Sequence, residues 1–286
     1  MTDTLYWDDI GAAWVQKRPQ RLWRDFADRH QFSLVARWFQ SQDGDAIGSH
    51  QDAACNRVLK TDLFDEVAGT GIVSRLAAAG LQVTAVDLSP VIVAATLSRH
   101  PELDAFVADV RAMPFEAAQF DYVFSGSTLD HFDSRDDIQI ALCEIRRVMR
   151  PGGRLILTMD NPVNPLICLR NSPLLPALRG LGIVPYQVGA TLAPRALAKA
   201  VRAAGFDPLT ITAVMHCPRV IAVALARLVE RLPSACGETM MDCLMACERL
   251  EPLPSRWITG HYIAVHAIAR SSYYDDFSCQ ATAFMP

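Results

Sequence analysis

The sequence predicts an α/β fold in which helices cover both faces of a mostly parallel, seven-stranded sheet. One observation is the regular alternation of apolar strand-like segments with helical segments between residues 58 and 158. Since parallel strands are joined by crossover helices, this alternation indicates a sheet wound on both faces. A second observation is a strand, glycine turn, helix and second strand at residues 58–89, which is typical of nucleotide-binding folds.

The amino-terminal 56 residues are predicted to be helical, because large apolar residues recur at three- and four-residue steps. Trp7, Ile10 and Trp14 begin this stripe, and residues 41–52 form a polar loop after it. Packing into the core is the favoured role for the stripe. A lid over a ligand cleft is the alternative.

Strand and helix signals then follow one another to residue 158. Ser89 is expected to cap a helix with Pro90 in its first position, and residues 136–149 have the pattern of an amphipathic helix. Pro151, Gly152 and Gly153 should end that helix and lead into a fifth strand. The predicted strands after the first are residues 83–86, 105–108, 120–125, 154–158, 209–214 and 257–269.

We predict three parts in the chain. Residues 1–56 form a helical cap, residues 57–270 form the nucleotide-binding domain, and residues 271–286 form a tail without periodicity. Two helices at about residues 216–256 are inserted before the last strand.

Composition excludes several classes of function. The net charge of −4 and the absence of a basic tract disfavour nucleic acid as a partner. No apolar stretch is long enough to span a bilayer, and the first residues do not resemble a signal peptide. Eight cysteines without disulfide spacing indicate reduced thiols, so we expect a cytoplasmic protein.

Polar residues follow several of the predicted strands. Because the carboxyl ends of parallel strands meet at one edge of a sheet, they should converge on one site. These residues are Asp65, Glu66, Asp87, Asp109, Ser125 and Asp160.

The glycine turn favours a cationic ligand. A dinucleotide site requires a third glycine, but Ser74 stands at that position, and Asp65 and Glu66 precede Gly69 and Gly71. Two carboxylates would repel a pyrophosphate and attract a cation. S-adenosylmethionine, which carries a ribose, a sulfonium and an ammonium group, meets these demands.

Five motifs then resemble those of class I S-adenosylmethionine-dependent methyltransferases, over about residues 58–159 and more weakly to residue 270. In chain order the motifs are DEVAGTG, VTAVDLSP, VADVRAMPF, FDYVFSGSTLDHF and MRPGGRLILT. The resemblance implies S-adenosylmethionine as the cofactor and methyl transfer as the activity.

The resemblance also implies a role for each matching residue. Asp87 would hold the ribose hydroxyls, Leu88 would pack on adenine, and Asp109 and the Val110 amide would bind adenine nitrogens. Asp65 or Glu66 would contact the methionine ammonium. Around the rest of the cofactor, the residues implied are Gly69, Gly71, Ser125 and Gly126.

The end of the first strand departs from the family pattern. Val67 replaces a usual glycine, and Lys60, Thr61 and Asp62 are polar where a central strand should be apolar. An early end of the strand would leave Asp62, Asp65 and Glu66 as candidates for the methionine end. A structural pair of Lys60 with Asp62 is the alternative.

Methyl transfer requires alignment and, for some acceptors, a base. His131 is the candidate general base, and a packing role is the alternative. A magnesium site at Asp130, Asp160 and Asn161 is disfavoured, because Asp130 lies about one helical turn too far along the chain and Asp160-Asn161 before a proline is an ordinary turn signal. A zinc site is disfavoured as well, so we predict no metal.

We expect a small-molecule acceptor that is methylated on an O, N or C atom and lies against the variable parts of the chain. Residues of interest there are Trp7, Tyr186, His216 and Arg219. An NAD-dependent oxidoreductase and a non-catalytic partner subunit with a methyltransferase fold are the alternatives. The oligomeric state is not predicted.

Overall fold

The computed structural model describes residues 3–17, 20–39, 57–172 and 189–271 of the 286 in the chain. The predicted loop at residues 41–52, Tyr186 and nearly all of the predicted tail lie outside the described residues. Within them, seven strands form one sheet in the order β3-β2-β1-β4-β5-β7-β6. β1 to β5 pair in parallel and β7 runs antiparallel to both of its neighbours, which confirms the predicted fold class.

The strands are β1 (Arg57–Lys60), β2 (Gln82–Asp87), β3 (Asp104–Val107), β4 (Phe120–Gly126), β5 (Met149–Asp160), β6 (Phe206–Val214) and β7 (Tyr262–Ala269). The helices are α1 (Asp3–Lys17), α2 (Arg21–Phe39), α3 (Phe64–Ala68), α4 (Val73–Ala78), α5 (Pro90–Leu97), α6 (Arg135–Val148), α7 (Pro165–Arg170), α8 (Pro194–Ala203), α9 (Arg219–Val229), α10 (Ser234–Ala246) and α11 (Arg256–Thr259). Among these helices, none combines the length and low polarity needed to cross a bilayer.

Helix starts follow the local chemistry of the sequence. Ser89 accepts a hydrogen bond from the Ile92 amide, and Pro90 occupies the first position of α5, as predicted. Ser134 caps α6 by accepting from the Asp137 amide at 3.0 Å. The apolar face of α6 is fully buried against the sheet, which is the arrangement its periodicity predicts.

Three strands begin three or more residues away from their predicted starts. β5 begins at Met149, because residues 151–153 lie inside an irregular stretch of the strand where its register with β4 shifts. β6 begins at Phe206, earlier than expected. β7 begins only at Tyr262, because Trp257 belongs to the short helix α11.

The amino-terminal helices lie over the carboxyl edge of the sheet. α2 buries Trp23, Phe26, Leu34 and Trp38, so its stripe packs into the core as predicted. α1 contacts α3 and α5, and Asp8 on α1 accepts from the Val91 amide at 3.5 Å. The division of the chain into three parts remains a prediction.

Candidate cofactor and acceptor site

A cavity of about 190 Å³ lies at the carboxyl edge of the sheet, beneath α1 and α2. It is lined by the ends of β1 to β6, by the start of β7 and by residues of both helices. Parallel strands place ligands at this edge. The sequence-predicted site residues that line the cavity are Asp65, Asp87, Leu88, Asp109, Val110, Gly126 and His131.

Asp87 ends β2 and is held in place by the backbone. Its Oδ2 accepts from the Leu63 amide at 2.9 Å and its Oδ1 accepts from the Ser89 amide at 2.9 Å. Burial raises the pKa of this carboxyl, although the two hydrogen bonds and Lys60 act against the rise. An ionised carboxylate has about four acceptor positions, so two bonds leave capacity for ribose hydroxyls.

The glycine turn is occupied by a carboxylate from α2. Oδ2 of Asp28 accepts from the Thr70 amide at 2.8 Å, from the Gly71 amide at 2.9 Å and from the Thr70 hydroxyl at 3.0 Å. Burial and the neighbouring Asp65 raise the pKa of Asp28 to about 6, against the effect of these hydrogen bonds. Sequence reasoning missed Asp28, because no local motif connects it with a turn 42 residues later.

Glu66 occupies the next two amides. Its Oε1 accepts from Ile72 at 3.0 Å and from Val73 at 3.3 Å, at the start of α4. Gly71 has φ +64°, and a Cβ there would lie 1.8 Å from Oε2 of Glu66, so only glycine fits. Among the described residues, Glu66, Gly69 and Gly71 are not in the cavity lining. The structure therefore places Glu66 beneath the turn.

Lys60 stands fully buried at the end of β1, where the predicted early end of the strand is confirmed. Its Nζ donates to the Asp62 carbonyl at 2.5 Å and lies 3.7 Å from Oδ2 of Asp62 and 3.6 Å from Oε1 of Glu66. Burial alone would lower the pKa of Lys60. The carboxylates of Asp62 and Glu66 raise this pKa by more than burial lowers it, so the amine stays charged. The structural Lys60–Asp62 pair is thus present.

Asp62 and Asp65 differ in how far protein donors occupy them. Asp65 accepts from Arg24 at 3.3 Å and from Gln31 at 2.9 Å. Asp62 accepts from the Phe64 amide at 3.0 Å, and burial raises its pKa to about 7 even though Lys60 opposes the rise. Both residues line the cavity.

Asp109 follows β3 and is bound by a cation. Arg111 donates from Nε to both carboxylate oxygens at 3.0 Å and from Nη2 at 2.6 Å. The same guanidinium donates to Asp137 at 2.8 Å and lies 4.8 Å above the Phe132 ring. Val110 is buried beside it.

The end of β4 carries a small hydroxyl network. Thr61 donates to Ser125 Oγ at 2.9 Å and shares a second 2.9 Å bond with Thr128 Oγ1. Ser125 is fully buried and is not in the lining, whereas Gly126 lines the cavity. A Cβ at Gly126 would meet the Phe124 ring at 2.9 Å.

His131 lies in a 3₁₀ turn, Leu129–His131, after β4. Its ring meets Trp7 of α1 edge to face, with the centroids 4.6 Å apart. The amino-terminal stripe therefore both packs into the core through α2 and covers the cavity through α1.

Asp130 and Asp160 are engaged by protein donors. Asp130 accepts from Ser127 Oγ at 2.8 Å and from the Asp160 amide at 2.8 Å. Asp160 pairs with Arg170 and lies 3.7 Å from His261 Nε2. No group of three or more candidate metal ligands occurs within the described ranges.

The remaining wall of the cavity is aromatic and apolar. Arg219 lines it, as expected, whereas His216 is buried outside the lining and bonds to Thr259 at 2.8 Å. The apolar and aromatic residues of this wall are Trp23, Ala27, Leu34, Val214, Met215 and Tyr262.

Known proteins resemble part of this chain in sequence and most of it in fold. Residues 65–157 match the family model described as a methyltransferase domain. Over 80 residues the chain is 41% identical to malonyl-acyl-carrier-protein O-methyltransferase of Enterobacter lignolyticus, covering 28% of this chain and 30% of that protein. Over 96 residues it is 35% identical to demethylmenaquinone methyltransferase of Renibacterium salmoninarum, covering 33% and 39% respectively. The chain thus spans well under half of these relatives.

Two solved structures share the fold. The (4+2)-cyclase SpnF has a TM-score of 0.53 at 20% identity, covering 85% of this chain and 81% of that one. Geranyl diphosphate methyltransferase in complex with SAM has a TM-score of 0.51 at 13% identity, covering 84% of each chain. At these identities the likeness concerns the fold alone.

Fold and matched segment together define the class. The chain contains a class I, S-adenosylmethionine-dependent methyltransferase domain. The cofactor of that class is S-adenosylmethionine, and the matched segment begins at Asp65 and includes β2, Asp87, Asp109, Gly126 and most of β5.

Proposed function

We propose that this protein transfers a methyl group from S-adenosylmethionine to a small-molecule acceptor. The observation that carries the proposal is one cavity that joins two chemically distinct ends. Acidic side chains at the ends of β2 and β3 form one end, and the aromatic wall beside α2 and β7 forms the other. The first end suits the cofactor and the second suits an acceptor.

At the cofactor end, Asp87 holds the ribose hydroxyls through the acceptor positions that Leu63 and Ser89 leave open. Leu88 and Val110 flank the adenine, and Asp109, oriented by Arg111, accepts from its amino group. Gly126 lines the methionine portion.

The methionine ammonium is assigned to the cluster of Asp62 and Asp65. Glu66, which the sequence also suggested as a contact of the ammonium, is not assigned this role, because its carboxylate binds the amides at the start of α4 and lies beside Lys60. Asp65 already serves Arg24 and Gln31. Asp62 accepts from one backbone amide and shares Lys60 with Glu66, but unlike Glu66 it lines the cavity, so it is the better acceptor for the ammonium group.

The bound cofactor supplies an activated methyl group, so the protein mainly aligns the acceptor and excludes water. α1 contributes to exclusion, because Tyr6, Trp7 and Ile10 cover the cavity. His131 remains the proposed general base for acceptors that must lose a proton. The cavity is small and covered by helices, which supports a small molecule over a protein or RNA acceptor.

The occupied glycine turn argues against the oxidoreductase alternative. A dinucleotide places its pyrophosphate on the free amides of this turn. Here two carboxylates already accept from the four amides of residues 70–73. A pyrophosphate would have to displace both carboxylates against their repulsion. We also propose a cytoplasmic location, since Cys168, Cys217, Cys236, Cys243 and Cys247 are free thiols.

The test incubates the protein and tritium-methyl-labelled S-adenosylmethionine separately with the small-molecule, protein and RNA fractions of a bacterial extract. We expect labelled organic products and S-adenosylhomocysteine from the wild type, and much less of both from Asp87→Asn at a low concentration of S-adenosylmethionine. Label recovered only in protein or RNA would overturn the acceptor class. If no compound becomes labelled and no S-adenosylhomocysteine forms, the proposed methyl transfer itself is overturned.

A further inference from the structure

One row of side chains on α2 lines the acceptor end of the cavity. Its members are spaced by four, three and four residues, which places them on one face of the helix: Trp23, Ala27, His30 and Leu34. His30 is the polar member of this row and is buried, with 8% of the residue exposed. Buried polar atoms in proteins are almost always hydrogen-bonded. Each nitrogen of the His30 ring therefore requires a partner.

The first of the two nitrogens lies beside a carboxylate. His30 Nδ1 is 3.6 Å from Oε2 of Glu248. The backbone holds that carboxylate in place, because its two oxygens accept from the amides of Met215 at 3.1 Å and His216 at 3.0 Å. A carboxylate beside one imidazole nitrogen favours the tautomer that carries its proton on that nitrogen. Nδ1 is then the donor of the ring, and Nε2 is its acceptor.

The second nitrogen is buried without a hydrogen bond. Nε2 of His30 has no hydrogen-bond partner within the part of the chain that the structure describes. Burial lowers the pKa of His30 to about 4, so the ring is neutral at physiological pH. The charge of Arg37 and the ring of His216 act in the same direction, and Glu251 acts against them. A neutral, unpaired acceptor is thus present in an apolar row.

The chemistry of the cavity wall selects the partner of Nε2. Among the described residues, His30 belongs to the cavity lining and Glu248 does not, so the carboxylate lies behind the wall. The two nitrogens of an imidazole point to roughly opposite sides, which directs Nε2 away from Glu248. A water molecule there would need about two to four polar partners, but the rest of the row is apolar. A hydroxyl group on an apolar molecule suits both the nitrogen and the wall.

We propose that the methyl acceptor carries a hydroxyl group, which donates a hydrogen bond to Nε2 of His30. Glu248 is the positioning residue, because it keeps the proton on Nδ1 and so leaves Nε2 as an acceptor. The apolar body of the acceptor lies against Trp23, Ala27 and Leu34. His30 thereby selects hydroxylated molecules. This inference rests on the proposed function, because it names the substrate class of the same site.

The test is calorimetric titration of the full chain with 4-ethylphenol, with its methyl ether 4-ethylanisole and with ethylbenzene. One series contains S-adenosylhomocysteine and a second series does not. The titrations are made at about pH 8, because burial raises the pKa of Glu248 to about 7 despite the amides of His216 and Met215. Only 4-ethylphenol brings a donor for Nε2, so it should bind about 10-fold more tightly than the other two compounds.

Two variants of His30 separate the nitrogen from the shape of the ring. His30→Phe keeps an aromatic ring but has no nitrogen, so the preference for 4-ethylphenol should disappear. His30→Gln should retain part of the preference, because its amide oxygen is an acceptor. The matched control is His100→Phe, since His100 is a described residue outside the cavity lining and should leave the preference unchanged. Circular dichroism establishes that each variant is folded.

Glu248→Gln tests the positioning role. The new amide group donates to Nδ1 and moves the ring proton to Nε2, which then donates to an ether oxygen. The ratio of affinities for 4-ethylphenol and 4-ethylanisole should therefore decrease, while ethylbenzene binds within about threefold of its wild-type affinity. A merely structural role of Glu248 would weaken all three compounds alike. That result, or an unchanged ratio, would remove Glu248 from the proposal.

Equal binding of 4-ethylphenol and ethylbenzene to the wild type would overturn the proposal, and this comparison requires no variant. A preference for 4-ethylphenol that survives in folded His30→Phe would overturn it as well. Tighter binding of neutral 4-ethylaniline than of 4-ethylphenol would show that the group recognised is not a hydroxyl. Titration without S-adenosylhomocysteine decides the question even if the cofactor product fails to bind, a result that would contradict only the proposed function.

Discussion

Substitution of Glu66 tests whether this carboxylate has a structural role or binds the cofactor. The side chain is fully buried, 3.6 Å from Lys60 Nζ, and accepts from two amides at the start of α4. Glu66→Gln keeps the carbonyl oxygen for these amides and removes only the charge. The substitution therefore isolates the buried ion pair.

The expected loss follows from the surroundings of Lys60. Removing one partner of a buried ion pair costs about 3–5 kcal/mol, because the other charge is left uncompensated. Asp62 remains 3.7 Å from Nζ, and its carbonyl still accepts from Lys60. We therefore expect the lower end, about 3 kcal/mol less free energy of unfolding.

Urea unfolding and calorimetry with S-adenosylhomocysteine make the two measurements on the same variant. Affinity should change by less than about threefold, since Glu66 is not in the cavity lining. The exposed control Glu116→Gln should alter the free energy of unfolding by no more than about 0.5 kcal/mol. Unchanged stability together with a large loss of affinity would refute the reasoning and make Glu66 a cofactor ligand.

Three further predictions concern the glycine turn, adenine recognition and pH. Gly71→Ala should lower the free energy of unfolding by more than about 2 kcal/mol, because its Cβ would meet Glu66. The control Gly80→Ala, at φ +85° in open space, should lower it by about 1 kcal/mol. Equal losses of the two variants in urea unfolding would contradict this prediction. Asp109→Asn should reduce the calorimetric preference for S-adenosylhomocysteine over S-inosylhomocysteine by about 10-fold, because the 6-oxo analogue lacks the amino donor; an unchanged preference would remove Asp109 from adenine recognition. Burial, and then the charge of Arg154, lowers the pKa of His266 to about 4. The folded protein therefore binds a proton at His266 less readily than the unfolded chain does, so the free energy of unfolding decreases as the pH is lowered below about 6.5. His266→Phe keeps the stack on Trp38. Between about pH 6 and pH 5 the wild type should lose about 1.4 kcal/mol of unfolding free energy per pH unit through His266, and the variant should lack this loss. Unfolding free energies from urea that change with pH in parallel for the variant and the wild type would contradict the prediction.

Much of the fold follows from local sequence. The cap at Ser89, the apolar face of α6 and the strand alternation depend on residues close together in the chain, where periodicity and capping chemistry act. The placement of Asp87, Asp109 and Gly126 follows as well, because topology brings strand ends to one edge.

The interior of the glycine turn could not be predicted in the same way. Asp28 on α2 reaches Thr70 and Gly71 through tertiary packing, and nothing in its local sequence distinguishes it from a solvated helical acid. The two acids before Gly69 predict a site that disfavours phosphate, and in the structure one of them, Glu66, accepts from the amides of Ile72 and Val73. Their individual roles could not be assigned, since Glu66 turns inward to α4 while Asp65 turns to Arg24 and Gln31.

Calorimetric titration of the wild type with S-adenosylhomocysteine and with NADH tests the central assignment most directly. We expect S-adenosylhomocysteine to bind and NADH not to bind, because carboxylates occupy the turn that a pyrophosphate requires. Asp87→Asn should weaken S-adenosylhomocysteine by about 10- to 100-fold, and Asp104→Asn, exposed at the far end of β3, should not. Binding of NADH alone, or an undiminished affinity in Asp87→Asn, would contradict the account.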